Sequence, residues 1–378
     1  MKVIVCGDFC DRYRVSEAIK DKQFDQLFSD IRPIINSADF SIVNFEFPIV
    51  LSNGKPILKC GPNLSGQIES VEAIKYAGIK CCTLANNHIL DQGTECGEDT
   101  KRLIQNSGID TVGFGSNLTD AATVLYRRID GFVLAIINCC EHEFSIASSD
   151  SPGANPLNPI QQYHQIQQAK SIADAILVIT HGGHEHYSLP SPRMKELFHF
   201  FVDSGADAVI NHHQHCYSGI EVYNGKPICY GLGNFLFDEP SKRHCKWNYG
   251  YMISLDFKKG RNPIYELYPY NQCDDACTIS LLKGSDNKDF TNTVSQLSRI
   301  IEDDEQLVQQ YKEWIQECTP LYDYLFTPWK RSFFRRIYRR GFLPSLRSRK
   351  QLLLFKNFIE CESHHERMVS VLDKLIDG

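Results

Sequence analysis

No stretch of this chain approaches the ~20 consecutive apolar residues that a membrane-crossing helix requires. The N-terminal run Val3–Gly7 meets a charge at Asp8, too early for the core of a secretory signal, so secretion by the common route is not expected. The 15 cysteines contain no Cys-x-x-Cys pair, and their odd number does not suit a disulfide framework. Cys6, Cys81, Cys139 and Cys229 lie inside apolar runs, where a free thiol behaves as a small hydrophobe. A reduced protein of the cytoplasm is the expectation, peripheral at most to the inner face of the membrane. Neither sign of charge dominates: the formal net charge of −6 excludes a whole-molecule attraction to nucleic acid, and no binding motif for it is present. Internal repeats and long low-complexity segments are also absent. What is there is ordinary for a globular protein, with 42% hydrophobic and 23% charged residues.

Short β-branched segments alternate with helix-like ones through the first two thirds. Strands are expected at Lys2–Cys6, Phe40–Phe45, Ile79–Leu84, Phe132–Asn138, Ala175–Thr180, Ala206–Asn211, Lys226–Tyr230 and Gly250–Asp256. Helices are expected around Gln23–Asn36, Ser65–Ala77, Gly97–Asn106, Pro159–Ala173 and Pro192–Ser204. Such alternation predicts an α/β architecture with mixed sheets over residues 1–272. Glu221–Ile228 reads as a hairpin with an Asn-Gly turn. From 273 to 378 the pattern becomes helical, with apolar residues at helix spacing in Asp289–Glu317 and again from Leu352 to Ile376.

Polar residues gather where these strands end. Asp8 follows the first, Glu46 the second, and Asn86, Asn87 and His88 the third. His181 follows Ala175–Thr180, and His212, His213 and His215 follow the run ending at Asn211. Seven of the 13 histidines fall between His181 and His215, including His184 and His186. A Gly-Asp after a strand is usually a turn, and Asn-Asn-His is often a helix cap. Five such clusters at five strand ends are harder to attribute to turns, because ligands of open α/β sheets bind at that edge. Asp, Glu, Asn and His together suit one or two divalent ions of manganese, iron or zinc better than calcium. Glu46 or Asp8 could bridge two such ions, and His88, beside Asn87, would be free to donate a proton to a leaving group. His213 and His215, two apart, would point the same way in an extended segment.

The motifs Gly7-Asp8, Asn44-Phe-Glu46, Ala85-Asn-Asn-His88 with Asp91 and Gly93, His181-Gly-Gly-His-Glu185, His213-Gln-His215 and Tyr230-Gly-Leu-Gly-Asn-Phe-Leu-Phe-Asp238 resemble the CapA family. That family is associated with capsule and poly-γ-glutamate biosynthesis and is similar to calcineurin-type metallophosphoesterases. The resemblance implies a four-layer αββα sandwich of two mixed sheets, followed here by an α-helical C-terminal extension. It implies Asp8, Glu46, Asn87, His181, His213 and His215 as metal ligands and His88 as the catalytic acid. Asn86, His184, Glu185 and Asn234 would line the site for substrate or support the ligands. The family pattern is broken at Cys10, where a second metal would ordinarily have a histidine, and at Gly182 and Gln214.

Three functions follow. One is a metal-dependent hydrolase acting on a phosphoester or on an anionic polymer of polyglutamate type. Another is a non-catalytic, polymer-binding component of an envelope-polymer machine. The third is a peripheral membrane adaptor whose hydrolase core is vestigial. Residues 329–350 carry nine Lys or Arg and no acid. At 100° per residue Phe333, Phe334, Ile337 and Tyr338 fall opposite Arg335, Arg336, Arg339 and Arg340, a pattern suited to peripheral contact with an anionic membrane.

Overall fold

The computed structural model describes residues 1–326 and 348–377, and the basic stretch 329–347 lies outside them. Two mixed β-sheets lie face to face. The first runs in the order Ile279–Leu281, Arg261–Gln272, Tyr249–Lys258, Lys2–Cys10, Phe40–Phe45, Cys81–Thr83, Asp110–Val112, and Asn234–Phe237 adds to the end of Lys2–Cys10. The second runs Ile220–Tyr223, Lys226–Cys229, Ala208–His212, Ala175–His181, Phe132–Cys140, Leu125–Ile129. Each is parallel at its centre and antiparallel towards an edge.

Strand periodicity of two explains the layering. Val3, Val5, Phe40, Ile42, Leu134, Ile136, Leu177, Ile179 and Ile210 point between the sheets and form one core. Their neighbours Ile4 and Cys6 point outward onto helical residues such as Val15, Ile19, Phe28 and Ile74. On the far side Ile137, Ile176 and Val178 meet Ile166, Phe198 and Phe201. The order is therefore helix, sheet, sheet, helix. Near-complete burial of each such aliphatic side chain contributes roughly 1.5–3 kcal/mol, and the central strands are apolar on both faces as a result.

The C-terminal helices belong to the outer layer. Ile301, Leu307, Tyr311, Ile315, Phe358 and Val371 join the core outside the second sheet, while Phe290 and Val294 reach the core between the sheets. Where one helix was expected over Asp289–Glu317 there are two, Gly284–Glu302 and Asp304–Phe326. The carboxylate of Asp303 accepts from the Glu305 and Gln306 amides and so caps the second. The final helix is likewise divided at Cys361, into Arg349–Glu360 and Glu362–Asp377. Gln23–Asn36 also breaks into two short helices, Phe24–Phe28 and Arg32–Asn36, the latter with Pro33 in its first turn. The Asn-Gly hairpin forms, with φ of 51° at Asn224 and 77° at Gly225. No helix among the described residues is long and apolar enough to cross a membrane.

Candidate metal centre

The first strand continues past Cys6 to Cys10 and pairs with two parallel neighbours around Asp8, opposite Asn44 and Asn234. Irregular register on both sides of Asp8 re-aims its side chain. Gly7 permits this crossing, since a Cβ there would lie 1.9 Å from the Gly233 carbonyl oxygen. Asp8 is held by Asn44, whose Nδ2 donates to Oδ1 at 2.7 Å, and by the His213 amide, which donates to Oδ2 at 3.2 Å.

Around it the strand ends converge. His181 Nε2 lies 3.0 Å from Asn87 Oδ1, 3.1 Å from His213 Nδ1 and 3.5 Å from Glu46 Oε1. His215 Nδ1 lies 3.7 Å from Asp8 Oδ2, and its Nε2 lies 3.9 Å from Glu46 Oε1. Two donor sets result, Glu46–His181–His213 and Asp8–Glu46–His215, each with its ligand atoms within 4.8 Å of one another. Glu46 belongs to both. All five residues are buried.

The chemistry of this cluster fits divalent ions. Both carboxylate oxygens of Glu46 are buried with no hydrogen-bond partner. Burial, with Asp8 and Glu185 nearby, pushes its pKa well above the usual 4.5, although Lys59 opposes the rise. A carboxylate left so costs free energy unless a cation meets it. Burial and the surrounding imidazoles push His181 well below its usual 6.5. Burial drives His215 to about 4 against the pull of Asp8 and Glu185. Both rings are thus neutral at pH 7, the form that ligates metal.

Neighbours set the orientation of these ligands. Asn234 Oδ1 lies 2.9 Å from His215 Nδ1, and the Asn234 amide also reaches the His215 and Trp247 carbonyls. Asn87 donates from Nδ2 to Glu143 Oε2 at 3.0 Å, which turns its Oδ1 towards His181. Asn86 donates to the Phe45 carbonyl and accepts from the His88 amide, so it shapes the loop from beneath. His88 Nδ1 lies 2.6 Å from Asp91 Oδ2, with Lys59 ion-paired to the same carboxylate. Burial and Lys59 lower the His88 pKa while Asp91 opposes them. Desolvation works against the charge of Glu185, but His213, His215 and His186 hold its pKa down to about 2.

His213 and His215 do converge, though not along an extended segment. Their φ values of 95° and 54° place both in the left-handed region, and that turn brings the rings together. His212 turns away, its Nε2 2.9 Å from the Cys6 carbonyl oxygen. His184 lies outside both donor sets. Its ring packs on Trp314 at 4.7 Å, and its nearest carboxylate is Glu366 of the last helix at 4.0 Å. Cys10 is packed in the core outside the first sheet, its thiol pKa raised by burial, and it joins neither set.

Sequence reasoning missed Glu143, Lys59 and Asn357. Glu143 Oε2 is 3.9 Å from His213 Nε2, and its Oε1 accepts from Asn357 at 3.1 Å. It follows the strand Phe132–Cys140, so the strand-end rule applied once more would have found it. Lys59 sits on a loop and Asn357 in a C-terminal helix, where no local pattern marks them. A cavity of about 470 Å³ opens beside the centre, lined by Lys59, His142, Phe144, Leu353, Lys356 and Asn357.

Residues 2–239 match the sequence profile of the bacterial capsule synthesis protein family PGA_cap. The chain belongs to that family. It is 33% identical over 247 residues to the capsule biosynthesis protein CapA of Bacillus anthracis, covering 63% of this chain and 60% of that one. It is 31% identical over 236 residues to the PGA biosynthesis protein CapA of Bacillus subtilis, covering 62% of each. The match thus spans less than two thirds of either relative's length. Among solved structures it is similar to the calcineurin-like phosphoesterase YfkN of Bacillus subtilis, at 14% identity and a TM-score of 0.39, covering 81% of this chain and 97% of that one.

Proposed function

We propose that this PGA_cap protein is a metal-dependent hydrolase that cleaves a phosphoester or related linkage in the synthesis of a capsule or poly-γ-glutamate-type polymer. The observation that carries the reading is Glu46, buried without a hydrogen-bond partner and shared by two donor sets. Asp8, Glu46, Asn87, His181, His213 and His215 would hold one or two ions of manganese, iron or zinc. Such ions supply Lewis acidity and lower the pKa of water to ~7.

The remaining work falls to side chains. Asp91 fixes the His88 ring through Nδ1, which leaves Nε2 as the atom to pass a proton to a leaving group. Lys59 stands beside His88, ion-paired to Asp91, and joins their pair to the wall of the adjoining cavity. Asn86, Asn87 and Asn234 hold ring and amide orientations against the pull of the substrate. The roles that the CapA relatives' names give them support the polymer, and Lys59, Lys356 and His142 against the one acid Glu360 in the cavity lining support an anionic substrate.

Asp8→Ala and His213→Ala test the proposal, because each removes one ligand from a different donor set. Hydrolysis of a generic phosphodiester or of poly-γ-glutamate should be abolished while the circular dichroism spectrum is retained. Unchanged turnover refutes catalysis at this centre. Retained polymer binding with no turnover in the parent protein would leave the binding component as the function.

A further inference from the structure

A second group of metal-ligating side chains lies at the joint between the sandwich and the C-terminal helices. Cys361 separates the helices Arg349–Glu360 and Glu362–Asp377, and His364 follows in the first turn of the second. The Cys361 carbonyl accepts from the His365 amide at 2.7 Å, which sets Cys361 at the start of that helix. Here the helix start meets the loop after Phe132–Cys140. Glu143 Oε1 lies 3.8 Å from His364 Nδ1. One donor atom each from Glu143, Cys361 and His364 lies within 4.8 Å of the other two. Cys361 is 2% exposed, and Glu143 is buried.

We propose that Glu143, Cys361 and His364 bind a zinc ion that is distinct from the main centre and pins the last two helices to it. An oxygen, a sulfur and a nitrogen donor together favour zinc over magnesium or calcium, which take oxygen ligands. The donors would have to draw in by about 1 Å to reach the 2.0–2.3 Å bonds of zinc. Asn357 Nδ2 now lies between two of them, 3.1 Å from Glu143 Oε1 and 2.8 Å from His364 Nδ1. Turning that amide end for end presents Oδ1 at the same point and completes a four-donor set. The neighbouring cavity, which Asn357 and Glu360 line, gives an entry path.

The position has a consequence for the main centre. The other oxygen of Glu143 holds the Asn87 amide, whose Oδ1 faces His181. Zinc on Glu143 would fix that carboxylate and, through Asn87, couple the docked helices to the ligands beyond. Cys361 and His364 lie outside residues 2–239, so this site is a feature of the chain's own extension. Among the described residues a further candidate group, His244, Asp274 and Asp275, has two exposed members and carries no such argument.

Cobalt substitution tests the proposal without reference to activity. The two donor sets of the main centre contain no cysteine, so a thiolate-to-cobalt charge-transfer band cannot come from that centre, and its loss in Cys361→Ser assigns it among the 15 free thiols. Metal-free full-length protein, purified without a metal-affinity tag, should develop the band on addition of cobalt(II). Asp8→Ala should keep it, and Cys361→Ser should lose it. No band in the parent protein, or a band that persists in Cys361→Ser, overturns the proposal. Should the variant fail to fold, zinc absorption spectroscopy on the parent protein decides. A sulfur ligand at about 2.3 Å supports the site, and a shell of nitrogen and oxygen alone overturns it.

Discussion

Glu46→Gln should stabilise the metal-free protein and destabilise the metal-loaded one. Both oxygens of Glu46 are buried without partners, and Asp8 and Glu185 add repulsion to the cost of burial. Leaving a buried polar group unpaired costs about 1–3 kcal/mol, and more when it is charged. An uncharged amide of the same shape removes the repulsion, so melting in chelator should rise by roughly 1–4 °C for a chain of 378 residues. The dependence on pH has a definite sign. A carboxyl whose folded pKa is raised holds its proton more tightly in the folded state, so folding stability falls as pH rises from the ordinary 4.5 through the folded pKa. The gain from the substitution should therefore be larger at pH 8 than at pH 5. Manganese reverses the order. At a hundredfold excess over Kd each site adds about 2.7 kcal/mol to the parent protein, and the variant forfeits what the shared carboxylate contributed. Thermal melts of both proteins, with chelator and with manganese at both pH values, make the comparison. A variant less stable than the parent in chelator, or a parent that manganese does not shift, would refute the reasoning.

Asn234→Ala should free the His215 ring and weaken metal affinity about 10–100-fold, read by competition with a chelating dye. Asp91→Asn should lower kcat by about 10²-fold or more with KM little changed, because Asp91 orients His88 and pairs with Lys59; an unaltered kcat excludes His88 as proton donor. The His142–Glu362 pair should hold the last helix best at mildly acidic pH. Burial raises the Glu362 pKa, but the hydrogen bonds with His142 outweigh it and hold it below 4.5, so its contribution is complete above 4.5 and lost as pH falls through the folded value. His142, whose pKa Glu362 raises above 6.5, contributes fully below 6.5 and loses its effect as pH rises past its folded value. Hydrogen exchange in residues 362–377 should show a protection maximum between those limits, and Glu362→Gln should flatten it. Deleting residues 329–350 should abolish co-sedimentation with anionic liposomes, and equal binding with and without them would exclude lipid contact there.

The fold was legible because its strands are buried on both faces and read as continuous β-branched runs. Asp8, Glu46, Asn87 and His181 stood out in the sequence because they lie at or near the carboxyl ends of apolar strands, although the first strand runs two residues beyond Asp8. The backbone turn at His213 and His215 was not, since a positive φ at a non-glycine residue leaves no mark in composition. His184 shared the glycine-rich stretch with His181, yet its ring packs against Trp314, far off in sequence. The helix breaks at Asp303 and Cys361 were hidden because apolar spacing continues across both. Lys59 and Asn357 depend on long-range docking, which no local pattern encodes.

Anomalous diffraction from crystals of the protein soaked in manganese would show whether Glu46 meets an ion. One or two anomalous peaks are expected within reach of the Glu46 carboxylate, beside His181 and His213, beside Asp8 and His215, or at both. Crystals that show no anomalous density within reach of Glu46 would contradict the proposed centre.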